Sequence, residues 1–239
     1  MSEDKWLMRG LAKDDPGRIK SDKELRLYID EVGLLPLFRN AIAGFSVEEM
    51  TYGEDWWSDD PANDPWLWRE ILARSGRVAY GKFFNRKAGF VSLKWFPIFA
   101  NYRRDGYDFD SRWEDELASF RAKKIIDEFA SEPELFSYDL KRRAGFGKDG
   151  SKNFEGVITD LQMQTYIIIR DFRQRRRKLD GAPYGWPIAV YTTPERLLGG
   201  DAISAGYSED PSASQNRIFA RIKEEYPWAA DSQIKAVMK

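Results

Sequence analysis

The sequence contains neither cysteine nor histidine. The lack of cysteine excludes disulfides, thiolate nucleophiles and thiolate metal ligands. The lack of histidine excludes a Ser-His-Asp triad, an imidazole acid or base, and the usual zinc ligand sets. Chemistry is left to carboxylates, amides, hydroxyls, lysine, arginine and tyrosine. No motif asks for a cofactor, and metal chemistry is confined to a carboxylate-bound Mg²⁺. Long apolar runs are missing too; nothing approaches the ~20 residues of a membrane span. The opening MSEDKWLMRG has no signal-peptide core. The expectation is a cytoplasmic protein without membrane attachment. No feature sets an oligomeric state.

Aromatic residues are plentiful, at 15% of 239 residues with nine tryptophans. This suits one large domain or two small ones with a substantial core. The net charge is only −1, so the chain is not a generic basic nucleic-acid binder. The charge is nevertheless uneven. Residues 48–70 carry eight acids against one base, and residues 137–178 carry eleven bases against five acids. Such separation creates local fields that the overall balance conceals.

Punctuation and periodicity give the element order. Residues 1–20 read as a flexible polar arm. Ser21 or Asp22 caps a helix near 22–32, and a short helical turn stands at Ser46–Met50. Asp64, Pro65 and Gly76 mark the start and end of a helix. Two strand-like runs, RVAYGKFF and FVSLKWF, are joined by NRKAG as a hairpin. A long helix is expected over about 112–130, because Ala118, Ala122, Ile125, Ile126 and Phe129 share one face. Ser137 caps a short second helix. A third follows, with Phe154, Val157, Ile158 and Leu161 at helical spacing. TYIIIRDF and PIAVYTT read as strands enclosing a polar loop. Two amphipathic helices close the chain.

Residues 112–199 thus read helix, short helix, helix, strand, loop, strand, which is the order of a winged helix-turn-helix. Residues 21–105 repeat it without residue-level similarity. The expected fold is therefore α+β and mostly helical: a tandem winged helix-turn-helix, with C-terminal helices over 200–239 packed across it. In this order the run RQRRRK falls at the tip of the second wing. Arg173, Arg175, Arg176, Arg177 and Lys178 would lie along DNA phosphates, joined by Lys141, Arg142, Arg143, Lys148 and Lys152 from the second helix and its turn. DNA is the expected partner. Glu155 and Asp160 on the third helix weigh against groove reading by that helix. A solvated loop or a protein-docking module are the alternatives.

Tandem winged helices with a glutamine-rich strand entry, LQMQTYIIIRDF, resemble the AlkZ-like winged-helix DNA glycosylases. That family excises alkylated or crosslinked purines with a Gln-x-Gln or Gln-x-Asp motif. The resemblance implies Gln162 and Gln164 as catalytic amides that orient a water, and a DNA-repair role. In that family the motif belongs to the first winged helix; here it stands in the second. An amide is a poor base, so the leaving base would have to be activated already, as a cationic alkylpurine is. The acidic, tryptophan-rich stretch around residues 52–68 reads as a structural loop or as an acidic segment that could dock on the wing. Tyr184 and Trp186 read as anchors of the wing on the core.

Overall fold

Two stretches of the chain repeat one order of elements in space as well as in sequence. In the computed structural model, which describes residues 8–58 and 60–239, the first half contains α1 (Asp22–Val32), β1 (Leu34–Pro36), α2 (Val47–Met50), α3 (Pro65–Ser75), β2 (Val78–Phe84) and β3 (Lys87–Ser92). After a connecting α4 (Phe96–Arg104) and α5 (Phe109–Glu114), the second half contains α6 (Phe120–Ser131), β4 (Leu135–Phe136), α7 (Ser137–Arg143), α8 (Phe154–Met163), β5 (Ile168–Arg176) and β6 (Pro183–Thr192). Each half has a three-stranded antiparallel sheet in which the last strand lies between the other two, β1-β3-β2 and β4-β6-β5. The fold is α+β, and the order helix, strand, helix, helix, strand, strand occurs twice.

Local chemistry explains most element ends. Ser21 accepts a hydrogen bond from the Glu24 amide, and Gly33 closes α1 with positive φ, a conformation glycine adopts at little cost. Leu25, Ile29 and Val32 form its buried stripe, while Leu27 faces solvent. Asp64 caps α3 through the Trp66 amide, Pro65 opens it, and Gly76 ends it in the left-handed region. The single helix expected over 112–130 is two. Asp108 caps α5, Glu116 takes a left-handed φ of 59°, and Ser119 caps α6 anew. The first helical residue of α7 is Ser137 itself, preceded by Phe136 in extended conformation.

Residues 1–7 of the expected arm lie outside the described residues. Residues 8–20 are not a free arm. Met8 and Ile19 are buried, the Leu11 amide donates to the Thr51 carbonyl (2.9 Å), and Arg18 pairs with Asp55 (2.9 Å). Gly10 is required here, because a Cβ would collide with the Thr51 carbonyl oxygen.

The halves meet along β2, α3, α8 and β5. Five of six residues from Val157 to Gln162 are buried; Asp160 is exposed and pairs with Arg86 of the first half. Gln162 is wholly buried. Its Oε1 accepts from the Lys82 amide of β2 (3.1 Å) and its Nε2 donates to the Ile158 carbonyl (3.1 Å). Beyond α8, the buried Arg104 donates to the Thr165 carbonyl (2.8 Å), Glu195 (2.7 Å) and the Tyr207 hydroxyl (2.6 Å). It thereby fixes the sharp turn where Thr165 has a φ of 61°.

After β6 come α9 (Pro194–Leu198), α10 (Gly200–Ser204), α11 (Pro211–Glu225) and α12 (Asp231–Val237). The last two pack back on the first half and α4. Asn101 donates to Ser214 (2.9 Å), Arg221 to the Val32 carbonyl (3.3 Å), and the Tyr28 and Tyr226 hydroxyls share a bond of 3.1 Å. No helix among the described residues is long and apolar enough to cross a membrane.

Replacing a buried, hydrogen-bonded amide by an isosteric apolar group leaves its donor unsatisfied. Gln162→Leu strands the Lys82 amide and is expected to cost about 1–3 kcal/mol, read as a shift of the urea midpoint without a change in slope.

Candidate nucleic-acid interface and adjoining cleft

β5 and β6 continue well beyond the core as a long hairpin. Their inner pairs, such as Ile168 with Thr192 and Ile169 with Tyr191, are buried. From Arg173 to Gly181 every residue is exposed. The hairpin tip therefore contributes little to the core.

The expected phosphate-binding residues divide into two groups. Some are neutralised within the protein. Arg173 donates to Asp171 and Glu134, both at 2.6 Å. Arg143 is held by Glu128 (2.7 Å) and Glu132 (3.0 Å). Lys152 folds back onto the carbonyls of Gly147 (2.8 Å) and Lys148. The others stand in solvent. Arg175 lies over the Tyr138 ring at 4.6 Å, and Arg176 donates only to the Gly181 carbonyl at 3.0 Å. Arg177 and Arg142 make local pairs with Asp180 (3.3 Å) and Asp139 (2.8 Å) across exposed surface; such pairs are worth little in water. Lys178, Lys141 and Lys148 are exposed. Tyr138 on α7 and Arg175 on β5 bring the two basic segments to one side of the hairpin.

Trp186 is 89% exposed and Leu179 97% exposed. Trp186 is thus not an anchor of the hairpin on the core, because β6 carries it outward beyond the packed pairs. The acidic stretch is spent locally. Glu48 accepts from the Arg39 amide (3.1 Å), Asp60 from Ala62 (3.0 Å), and Asp64 caps α3. Asp59 lies outside the described residues. Among the described residues, no carboxylate of 48–70 forms an ion pair with the hairpin; Glu49 pairs with Arg39, Asp55 with Arg18 and Glu70 with Arg69.

The catalytic expectation falls elsewhere. Both amide atoms of Gln162 are engaged in the core, and Gln164 is the half-buried residue closing α8. Neither lines the cleft that the structure opens between the halves. This cleft, of about 820 Å³, lies between α3 and the base of the hairpin, with Phe136 and Tyr138 on its far side. It contains two carboxylates in different states. Asp171 is buried and accepts from Arg173 (2.6 Å), Arg74 (2.8 Å) and the Phe172 amide (2.7 Å). Burial alone would raise its pKa, but these donors outweigh it and hold the carboxyl below its usual range. Glu70 has one such partner, Arg69 at 3.1 Å, and burial raises its pKa against the pull of Arg69 and Arg74. Arg69 is itself immobilised between Trp66 and Phe172, at 3.7 and 4.1 Å from their ring centroids. Sequence reasoning missed Glu70 and Asp171 because they lie a hundred residues apart, each among other charged residues of its own helix or strand, so no local pattern marks either.

A family model described as AlkZ related matches residues 19–239. The chain therefore belongs to the AlkZ-related family, which relates it to DNA-repair glycosylases of that kind, as the Gln-x-Gln resemblance implied. No curated protein and no solved structure matches the chain.

The two carboxylates make opposite demands on pH. Asp171, with its lowered folded pKa, contributes stability above the ordinary aspartate pKa that is lost as pH falls through the folded value. Glu70, with its raised folded pKa, loses stability as pH rises through the ordinary glutamate pKa, levelling above the folded value. Urea titrations from pH 3 to 7 are expected to show Asp171→Asn less stable at neutral pH by about 2 kcal/mol or more. Glu70→Gln loses less stability than wild type as the pH rises across that interval.

Proposed function

We propose that the two repeats are winged helices in tandem and that the β5–β6 hairpin is a wing lying along the phosphate backbone of duplex DNA, in a glycosylase-like repair protein. The observation that carries this reading is the group of cations at the hairpin tip, Arg175, Arg176, Arg177 and Lys178, which are exposed and unneutralised by the core. Cations that stabilise a fold are paired; these are presented. Lys141, Arg142 and Lys148 extend the same surface, whereas Arg143, Lys152 and Arg173 serve first as internal ties. The burial of α8 supports a wing-led contact, since a helix packed against the first half and tipped with Glu155 and Asp160 is not free to enter a groove.

Membership of the AlkZ-related family supports excision of a damaged base as the reaction. In this reading Gln162 holds the two halves in register, and Gln164 is the motif glutamine left to face a water. Base-edge readers are few, so recognition rests on backbone and on the shape or looseness of the duplex.

Fluorescence anisotropy with a duplex across a salt series tests the wing. For about four phosphates neutralised, log K falls with log salt at a slope near −3.6. Changing Arg175, Arg176 and Arg177 to Ser is expected to reduce that slope by roughly 2–3 and to weaken binding at low salt. Arg143→Ser leaves the slope unchanged. Absence of binding by the intact protein at low salt would sink the reading.

A further inference from the structure

We propose that α6 carries a second phosphate-contact surface, in which Arg121 and Lys124 hold the backbone of the same duplex beyond the reach of the hairpin. The inference rests on the reading of the hairpin as a DNA contact and adds to it a surface on another element.

The charge order of α6 is the first observation. A helix favours carboxylates in its first turn and cations in its last, because of the partial charges on its unpaired amides and carbonyls. α6 runs the other way. Arg121, Lys123 and Lys124 stand near its start, and Asp127, Glu128 and Glu132 stand toward its end. No acid lies in its first turn and no base in its last. The neighbouring α7 and α8 carry Asp139 and Glu155 in their first turns instead. The helix itself gains nothing from this placement, and local choices that oppose the fold mark the places where function requires them.

The partners are the second observation. The acids of α6 are taken: Asp127 by Lys123, and Glu128 and Glu132 by Arg143 at 2.7 and 3.0 Å. Arg121 and Lys124 have no carboxylate partner among the described residues. Arg121 donates to the Lys152 carbonyl (3.3 Å) and Lys124 to the Ser151 hydroxyl (3.5 Å), which leaves both positive charges uncompensated.

Both bonds lead into the turn between α7 and α8. Lys152 ties that turn together through the carbonyls of Gly147 (2.8 Å) and Lys148, and so sets the exposed Lys148 on one frame with α6. The turn is joined to α7 by the Phe146 amide on the Lys141 carbonyl (2.9 Å). α7 in turn meets the hairpin where Arg175 covers Tyr138. Cations without a buried partner thus follow one another from the hairpin tip through Lys141 and Lys148 to Arg121 and Lys124. A row of this kind matches a polyanion whose charge repeats along its length, as the phosphates of a duplex do; a small anion would engage one member of it. Leu117 and Phe120 are exposed close by, which makes an anionic lipid surface the competing occupant. The continuity with the hairpin favours the duplex.

The test uses the full chain with Arg121→Gln and Lys124→Gln together. Glutamine has nearly the helix propensity of the residues it replaces, and removing cations from the start of a helix relieves the dipole conflict. The variant is therefore expected to melt no lower than wild type. Anisotropy across a salt series is expected to show weaker duplex binding at low salt, with a slope shallower by roughly 1–2. Hydroxyl-radical cleavage of the bound duplex is expected to show protection lost over part of the footprint, distinct from the part lost when Arg175, Arg176 and Arg177 are changed to Ser. Lys94→Gln with Lys235→Gln removes the same charge from exposed positions elsewhere and is expected to change neither slope nor footprint. An unchanged slope and footprint in the α6 variant overturn this inference and leave the hairpin reading intact. An equal loss of slope in the Lys94 and Lys235 control also overturns it, because net charge alone then accounts for the effect. Weaker binding of the α6 variant to vesicles of phosphatidylserine and phosphatidylcholine, with its duplex slope unchanged, overturns it in favour of lipid. Failure of wild type to bind duplex at low salt removes the hairpin reading and this one with it.

Discussion

A buried side-chain amide bridges the two halves at their seam. Gln162 accepts from the backbone of β2 and returns a bond to its own helix, at a position with no access to water. A strand edge that would otherwise keep an unpaired amide is satisfied by a helix from the other repeat. Around this point Thr159 meets Lys82, Asp160 meets Arg86, and Arg74 meets Asp171. The polar contacts define register, and the apolar faces of β2 and α8 supply the burial. The cleft exists because α3 and β5 are held at the edge of this seam with a gap beyond it.

That arrangement separates two kinds of charge. Arginines near the seam are consumed: Arg69 by aromatic faces and Glu70, Arg104 by Thr165, Glu195 and Tyr207, and Arg173 by Asp171 and Glu134. Arginines beyond Arg173 on the hairpin have only carbonyl, aromatic or weak surface partners. The same residue type thus ties the protein together at one end of β5 and faces outward at the other, and position along the strand decides which.

The sequence made the repeated element order legible through its caps and periods. Asp64-Pro65 and Gly76 bounded α3 correctly, and the strand pair after it followed from β-branched and aromatic runs. The long helix over 112–130 was misread because Glu116 adopts a left-handed conformation without a glycine or proline to announce it. The docking of residues 8–20 was hidden for a different reason. It depends on close backbone approach at Gly10 and Gly53, which leaves no apolar period to detect. The basic hairpin was visible as a run of like charge between two strands, but the pairing of Arg173 was not, since its partner Glu134 lies far earlier in the chain. The short Gln-x-Gln signal led to the right family while placing its first glutamine in the seam. The Glu70–Asp171 pair could not be seen without the tertiary structure.

Because the hairpin tip has so few ties to the core, its residues are released from the constraint that governs the rest of the chain. Substitutions there carry little penalty in folding, whereas a change at the buried Gln162, Arg104 or Asp171 is felt as lost stability. The tip is accordingly the part of the molecule whose sequence the fold constrains least.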